Sequence, residues 1–407
     1  MISYETSIKI INNLVKEIKR SEVCKISNSL GRVLSEDISS RFDCPKTDKS
    51  SMDGIVILEK DFNINKIFKL KGELKTGHKR NFELSSKEAA LIYTGASIPG
   101  KKKKIVILKE NCNFNKDNTV EVRKNLIPEN YIRKKGKDFK DGQLCVKRNS
   151  VINIRIIGLL KTLEKDILKV KRKPKVGIIV TGDEIIKKKD FDNTEYIPSS
   201  NSEFLRNFLN FYGAELVFLK TVGDSEKAIS KIYKKSKNVD LLITTGGLSE
   251  GKYDLVKKTL FKLGLKLKFE KVAIRPGKPI SFGLFNANNY FLGLPGNPVS
   301  CFVGSLFFIS LILKKLKGTK ELLFQESLLK SNCYIPKNNE LTKFFRIKII
   351  SKNNKKYFNL INNQDSSMQY LLTQSDGIII RKPFEKSIKS GQYCNIILFK
   401  DFFTYLI

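Results

Sequence analysis

The stretch that decides the fold reads DLLITTGGLSEGKYD at 240–254, KVAIRPGKPISFG at 271–283 and YFLGLPGNPVSCF at 290–302. Each segment pairs an apolar run with a glycine-bearing loop. Leu241-Leu242-Ile243-Thr244-Thr245 stops at Gly246-Gly247, and Tyr290-Phe291-Leu292 stops at Gly293. A buried strand that ends in a glycine turn and feeds a helix is how open α/β sheets place ligand sites at strand C-termini. Paired glycines let backbone N–H groups face one space and hold an anion.

The loops carry specific chemistry. Asp254 precedes an apolar-periodic run and fits either a helix N-cap or a Mg²⁺ carboxylate beside a phosphate loop. Arg275 and Lys278 flank a turn whose prolines, Pro276 and Pro279, restrict the backbone. On one strand, Lys271, Ala273 and Arg275 share a face. Solvated surface lysines are the plain alternative in so basic a chain. In Gly293-Leu294-Pro295-Gly296-Asn297-Pro298-Val299-Ser300, Asn297 suits an N-cap and Pro298 the first helical position. Such a helix start is an anion site in its own right.

Together these loops resemble the molybdopterin molybdenumtransferases, the MoeA-type proteins and the E domain of gephyrin. Thr245-Gly246-Gly247-Leu248-Ser249 with Gly251 and Asp254, Pro276-Gly277-Lys278-Pro279, and Gly293 through Ser300 carry the resemblance. Glu250 stands where the family usually has a small apolar residue, and Arg275 where lysine is common. Further matches are Ser51-Met52-Asp53-Gly54, Thr94-Gly95-Ala96-Ser97-Ile98-Pro99-Gly100, and Gly136-Lys137-Asp138 with Gly142. The resemblance implies that Asp53 faces an active site, that of the partner subunit, and that Asp138 lies near it.

Composition bounds the remaining readings. The 407 residues suffice for two to four domains, and 41% hydrophobic with 29% charged residues is a globular balance. The net charge of +35 is spread along the chain without an arginine-rich arm or zinc-finger spacing. It argues for steering of small anions rather than specific nucleic-acid binding. Seven cysteines without a C-x-x-C pair read as reduced thiols in a cytoplasmic protein. With His78 the only histidine, a His-ligated metal site or a Ser-His-Asp triad is disfavoured. No signal peptide is read at the N-terminus. The apolar run Val299 to Leu313 reads as a buried helix too short for a bilayer, so no membrane partner is expected.

Periodicity places a helix over 3–20 with Ile11, Leu14, Val15 and Ile18 on one face. A second helical pattern over 153–170 is expected to pack on it, making residues 1–42 and 146–172 one discontinuous domain. Residues 43–145 read as a mostly β insertion. Val176-Gly177-Ile178-Ile179-Val180 is a parallel-type strand ending at Thr181-Gly182-Asp183-Glu184. Ser199-Ser200-Asn201-Ser202 opens a helix, and Leu216–Val222 is a strand ending at Gly223-Asp224. Alternating strand and helix make 173–317 a doubly wound α/β domain, and short alternating runs make 318–407 a small β-barrel-like domain. The fold class expected is thus multidomain α/β, and the resemblance implies that the central domain is MogA-like.

The resemblance implies the chemistry: adenylylated molybdopterin and molybdate as substrates, with Mg²⁺ on Asp224 and Asp254, read as neighbouring strand ends, and release of AMP. Asp53, Asp138 and Glu184 position water or protons. Thr181, Gly182, Asp183, Asn201, Ser202, Gly246, Gly247, Ser249, Gly251, Lys271, Arg275, Pro276, Lys278, Pro295, Gly296, Asn297 and Ser300 are the expected substrate contacts. A homodimer is expected, with molybdopterin adenylyltransferase as the upstream partner. Rival readings are that adenylylating enzyme itself, a competence-damage-inducible-type nucleotide pyrophosphatase, and a gephyrin-like dimeric scaffold. Chain length, the Ser51–Gly54 segment and the retained carboxylates stand against them.

Overall fold

The computed structural model describes residues 1–62, 66–78, 83–123, 131–181, 199–222, 226–236, 238–246, 255–319 and 324–400. The chain forms two compact units, one of Met1–Glu36 with Arg148–Ile407, the other of Asp37–Lys147.

The first unit is built on a six-stranded sheet. Its strand order is Glu215–Val222, Lys175–Thr181, Leu241–Thr245, Asn289–Leu294, Ser281–Asn286, Lys266–Glu270. The first four strands run parallel, and Ser281–Asn286 is antiparallel to both of its neighbours, so the sheet is mixed. Side chains alternate between two cores, as a sheet covered on both faces requires. Ile178, Val180, Leu241, Ile243 and Leu292 join one cluster with Phe208, Leu306 and Ile312. Ile179, Leu242 and Phe291 join the other with Val256 and Leu260. Each fully buried aliphatic side chain contributes roughly 1.5–3 kcal/mol.

The apolar helix is longer than the sequence pattern indicates. It runs unbroken from Pro298 to Lys317, with a π-helical turn at Ser305–Ile309, and stops at Gly318, whose φ is 65°. By length and composition it meets the criterion for a membrane span, yet 83% of its apolar window is buried inside the protein.

The first helix is shorter than expected, Tyr4–Leu14, with the Ser3 hydroxyl accepting from the Thr6 N–H. It packs on Ser310–Lys317, and Ile11, Val15 and Ile18 enter the same core. The 153–170 segment is helical only over Ile154–Thr162. Beyond it, Ile167–Lys171 pairs antiparallel with Ser21–Lys25. The Ile-Leu-Lys-Val-Lys run buries Leu168 and Val170 but exposes Ile167 and Lys169, a period of two that a strand satisfies and a helix does not.

Downstream, Glu326–Ser331, Thr342–Lys352, Lys355–Leu360, Gly377–Arg381 and Tyr393–Leu398 close into a five-stranded barrel. Thr342–Lys352 pairs with both Lys355–Leu360 and Gly377–Arg381, which completes the ring. The short strand Ile274–Arg275 adds in parallel to Thr342–Lys343 and ties the 275–278 turn to the barrel.

The second unit is β throughout its described residues apart from single 3₁₀ turns. Its six-stranded sheet is ordered Lys104–Leu108, Gly54–Leu58, Glu88–Ile92, Ile67–Leu74, Thr119–Val122, Cys112–Phe114. All seven cysteines of the chain are free thiols.

Candidate functional site

Three loops meet at the C-terminal ends of the central strands of the α/β sheet. Gly246 follows Leu241–Thr245 with φ +88°, a region that side chains disfavour. A Cβ there would lie 2.2 Å from the Thr181 carbonyl oxygen, so only glycine fits. Its N–H donates to the Leu294 carbonyl at 3.3 Å, so this amide is spent inside the fold rather than offered to an anion.

Asn201, in the first turn of the helix Ser200–Phe211, is 8% exposed. Its Nδ2 donates to Thr245 Oγ1 at 3.0 Å and to the Gly296 carbonyl at 2.7 Å. Thr245 Oγ1 in turn donates to the Pro295 carbonyl at 3.2 Å. One amide therefore holds three sequence-distant loops. The Ser202 hydroxyl donates to the Ser199 carbonyl at 2.7 Å. Thr181 Oγ1 is buried and finds no partner among the described residues. Beneath the loops, burial pushes the Cys301 thiol up to about 12, which keeps it protonated.

A cavity of about 300 Å³ opens beside this crossing. Arg275, Pro276, Lys278, Pro295, Asn297 and Ser300, six of the expected substrate contacts, line it. Arg275 and Lys278 are exposed at its rim, and the turn between them is closed by the bond from Ile280 N–H to the Gly277 carbonyl. The Arg275–Pro276 peptide is cis. Lys271 departs from the expectation. Its φ of +64° turns the backbone over before Ile274–Arg275, so it does not share a strand face with Arg275, and it is not among the residues lining the cavity.

The far wall comes from the barrel. Gln364, Asp365 and Ser366 line the same cavity, and none was singled out as a site residue from sequence. Asn297 occupies the N-cap position with Pro298 at N1, but its side chain makes no capping bond. Nδ2 reaches Ser366 Oγ at 2.9 Å instead, and the Ser366 carbonyl accepts the Val299 N–H. The loop stands on Arg346, whose side chain is 1% exposed. Its guanidinium donates to the carbonyls of Met368 at 3.0 Å, Asn363 at 2.9 Å and Asp365 at 3.0 Å. The Asp365 carboxylate accepts from Ser367 Oγ and N–H, and these bonds, helped by Arg346 and Arg275, hold it below the usual carboxylate range. An arginine at an inward position of an alternating strand, Phe344-Phe345-Arg346-Ile347, was the available signal. A short helix, Gln369–Thr373, follows the loop.

In the second unit, Gly54 opens a strand that passes so close to its neighbour that a Cβ would sit 1.9 Å from the Ile107 carbonyl oxygen. Asp53 sits just before that strand. Its Oδ1 accepts from Thr94 N–H at 2.7 Å and Thr94 Oγ1 at 2.8 Å. Those bonds, with a smaller contribution from the Lys109 charge, hold the carboxyl below its ordinary value. Asp53 lines a cavity of about 310 Å³ with Gly54, Leu91, Ile92, Tyr93, Lys109 and Phe114. Asp138 is exposed on another loop, where its N–H donates to the Cys44 carbonyl at 2.9 Å.

Gly182, Asp183, Glu184, Asp224, Gly247, Ser249, Gly251 and Asp254 lie outside the described residues. The strands that lead to Asp224 and Asp254 are nonetheless placed, and they are not neighbours as expected. Lys175–Thr181 runs between Glu215–Val222 and Leu241–Thr245, which separates their ends by two strand spacings, roughly 10 Å. Among the described residues no group of three or more His, Cys, Asp or Glu side chains forms a metal site.

Residues 2–163 match the family described as MoeA N-terminal region (domain I and II), and residues 177–315 match the probable molybdopterin binding domain. The molybdopterin molybdenumtransferase of Haemophilus influenzae is 32% identical over 303 residues, 74% of each chain. A crystal structure of a molybdopterin biosynthesis moeA protein from Pyrococcus horikoshii superposes with a TM-score of 0.79 at 26% identity, covering 98% of this chain and 99% of that one. A second structure of such a protein from the same organism gives a TM-score of 0.82 at 24% identity, covering 98% and 100%.

Proposed function

Since this chain belongs to the molybdopterin molybdenumtransferase family of molybdenum cofactor biosynthesis, we propose that it inserts molybdate into adenylylated molybdopterin with release of AMP. The observation that carries this reading is the cavity beside the strand ends, where Arg275, Lys278, Asn297 and Ser300 converge. Both substrates are anions. Bringing them together requires fixed positive potential, and preorganised cations and donors supply it without reorganisation at the moment of reaction. Arg275 and Lys278 provide the charge, while the Asn297 amide and the Ser300 and Ser366 hydroxyls provide hydrogen bonds of fixed direction. Asp365 stays ionised in the cavity wall, with one carboxylate oxygen tied to Ser367 and its charge partly offset by Arg346 and Arg275.

Mg²⁺ suits hard oxygen donors, and the Thr181 hydroxyl at this end of the sheet is one that has no partner among the described residues. Asp224 and Asp254 are the carboxylates that would hold it, and when bound it would polarise the phosphoanhydride. Asp138 and Glu184 are proposed to position water or a proton. Asp53 suits that task poorly, because a carboxylate held below its ordinary pKa is a weak base near neutrality. The protein is further proposed to be a cytoplasmic homodimer that receives its substrate from molybdopterin adenylyltransferase. Light scattering should then report twice the 46.5 kDa of one chain.

The test is AMP release from adenylylated molybdopterin by the full-length protein with Mg²⁺. Release that depends on molybdate supports the reading. Equal release without molybdate points to a nucleotide pyrophosphatase instead, and no release in either case removes the activity.

A further inference from the structure

The Asp53 carboxylate is only half used. Oδ1 takes both Thr94 donors, and Oδ2 carries no hydrogen bond among the described residues. Ionised, that oxygen accepts and cannot donate. Asp53 lines a cavity of about 310 Å³, at the lower end of the roughly 300–1,000 Å³ typical of small-ligand pockets. The lining is mostly apolar and carries two aromatic rings left substantially open, Tyr93 at 40% and Phe114 at 41% exposure. An acceptor of fixed direction beside open aromatic surface suits a flat heterocycle with adjacent N–H donors along one edge. Of the substrates proposed above, one part has that form: the 2-amino-4-oxopyrimidine edge of the pterin, where an amino group and a ring N–H lie side by side.

Resting on that reading of the substrate, we propose that the cavity at Asp53 is the pterin-ring subsite, with Asp53 Oδ2 accepting from the 2-amino edge and Tyr93 and Phe114 covering the ring. Asp53 is then a recognition residue rather than a proton carrier. Thr94 also determines which substitution is informative. In Asp53→Asn the Thr94 N–H still requires an acceptor, so the amide oxygen takes the place of Oδ1 and the NH₂ takes the place of Oδ2. An acceptor becomes a donor without a change of shape. Lumazine carries an oxygen where pterin carries the amino group, so the variant should exchange the preference of the wild type.

The experiment is a fluorescence titration of the full-length protein with 6-hydroxymethylpterin and with 6-hydroxymethyl-lumazine. Wild type is expected to favour the pterin by roughly tenfold or more, because an unmatched polar contact in a built site is costly. Asp53→Asn is expected to reverse the order. Phe114→Ala is expected to weaken both ligands alike, and thermal melts confirm that each variant folds. Equal binding of the two rings by wild type, an unchanged preference in Asp53→Asn, or binding of neither ring at millimolar concentration overturns the proposal. Each of these outcomes is separable from failure of the reaction itself, which is read independently as molybdate-dependent AMP release.

Discussion

Replacing Gly246 by alanine tests the crossing of the three loops directly. The added methyl would lie 2.2 Å from the Thr181 carbonyl oxygen, where real Cβ atoms stay beyond 3.0 Å. The ends of two paired strands must therefore part by about 0.8 Å, a displacement of the overpacking kind that costs roughly 1–3 kcal/mol. The φ of +88° adds a conformational cost of roughly 1–2 kcal/mol for a residue with a side chain. The sum is roughly 2–5 kcal/mol, a fall in melting temperature of roughly 5–15 °C for a domain of this size. Gly264 supplies the control, since it lies in the same domain with φ +97° and nothing within 4 Å of its Cβ position. Gly264→Ala should show the conformational cost alone. Urea denaturation of both variants, followed by tryptophan-free far-UV circular dichroism, isolates the contact with Thr181 as their difference, expected at roughly 1–3 kcal/mol. If the two variants unfold at the same denaturant concentration, the close approach of Gly246 to Thr181 is not a constraint and the account of the crossing fails.

Lys278→Ala removes an exposed cation from the rim of the 300 Å³ cavity and should leave the melting temperature of the free protein within about 1 °C, as surface substitutions usually do. The molybdate-induced rise in melting temperature should shrink, and an unchanged rise removes Lys278 from the anion site. Thr94→Val deletes one of two donors that hold the Asp53 carboxyl low. A depressed folded pKa contributes stability above the unfolded carboxylate value of about 3.9 that is lost as pH falls through the folded value. The variant should therefore move the ¹³C carboxyl titration of Asp53 upward and reduce the acid sensitivity of stability below about pH 4; an unmoved titration means the hydroxyl does no work there. Arg346→Met keeps the length of the side chain but deletes three bonds to loop carbonyls. Bonds to a charged donor contribute roughly 1.5–3 kcal/mol each, and relief of the desolvation of the buried guanidinium offsets much of their loss. Global stability should thus change modestly, while hydrogen exchange at Ser367 and Val299 accelerates. Unaltered exchange there shows that Arg346 does not support the loop.

Local pattern alone determined much of this protein. The continuous apolar runs at 176–180 and 241–245, each closed by glycine, specify buried parallel strands because only a two-faced core accepts such runs. The order of loops at 245–254, 276–279 and 293–300 identifies the family, and the Pro298 helix start follows from side-chain chemistry. Tertiary structure decided which of these residues meet. The 175–181 strand separates the strands that lead to Asp224 and Asp254. The Gly246 amide is spent on Leu294, Asn297 turns to Ser366 rather than its own helix, and Lys271 lies outside the short strand that carries Arg275. Arg346 and the 363–368 loop enter the site from the barrel, placed in part by the pairing of residues 274–275 with 342–343. Contacts between residues this distant in sequence depend on which strands lie side by side, and strand order is a property of the whole packed sheet that no local window of sequence encodes.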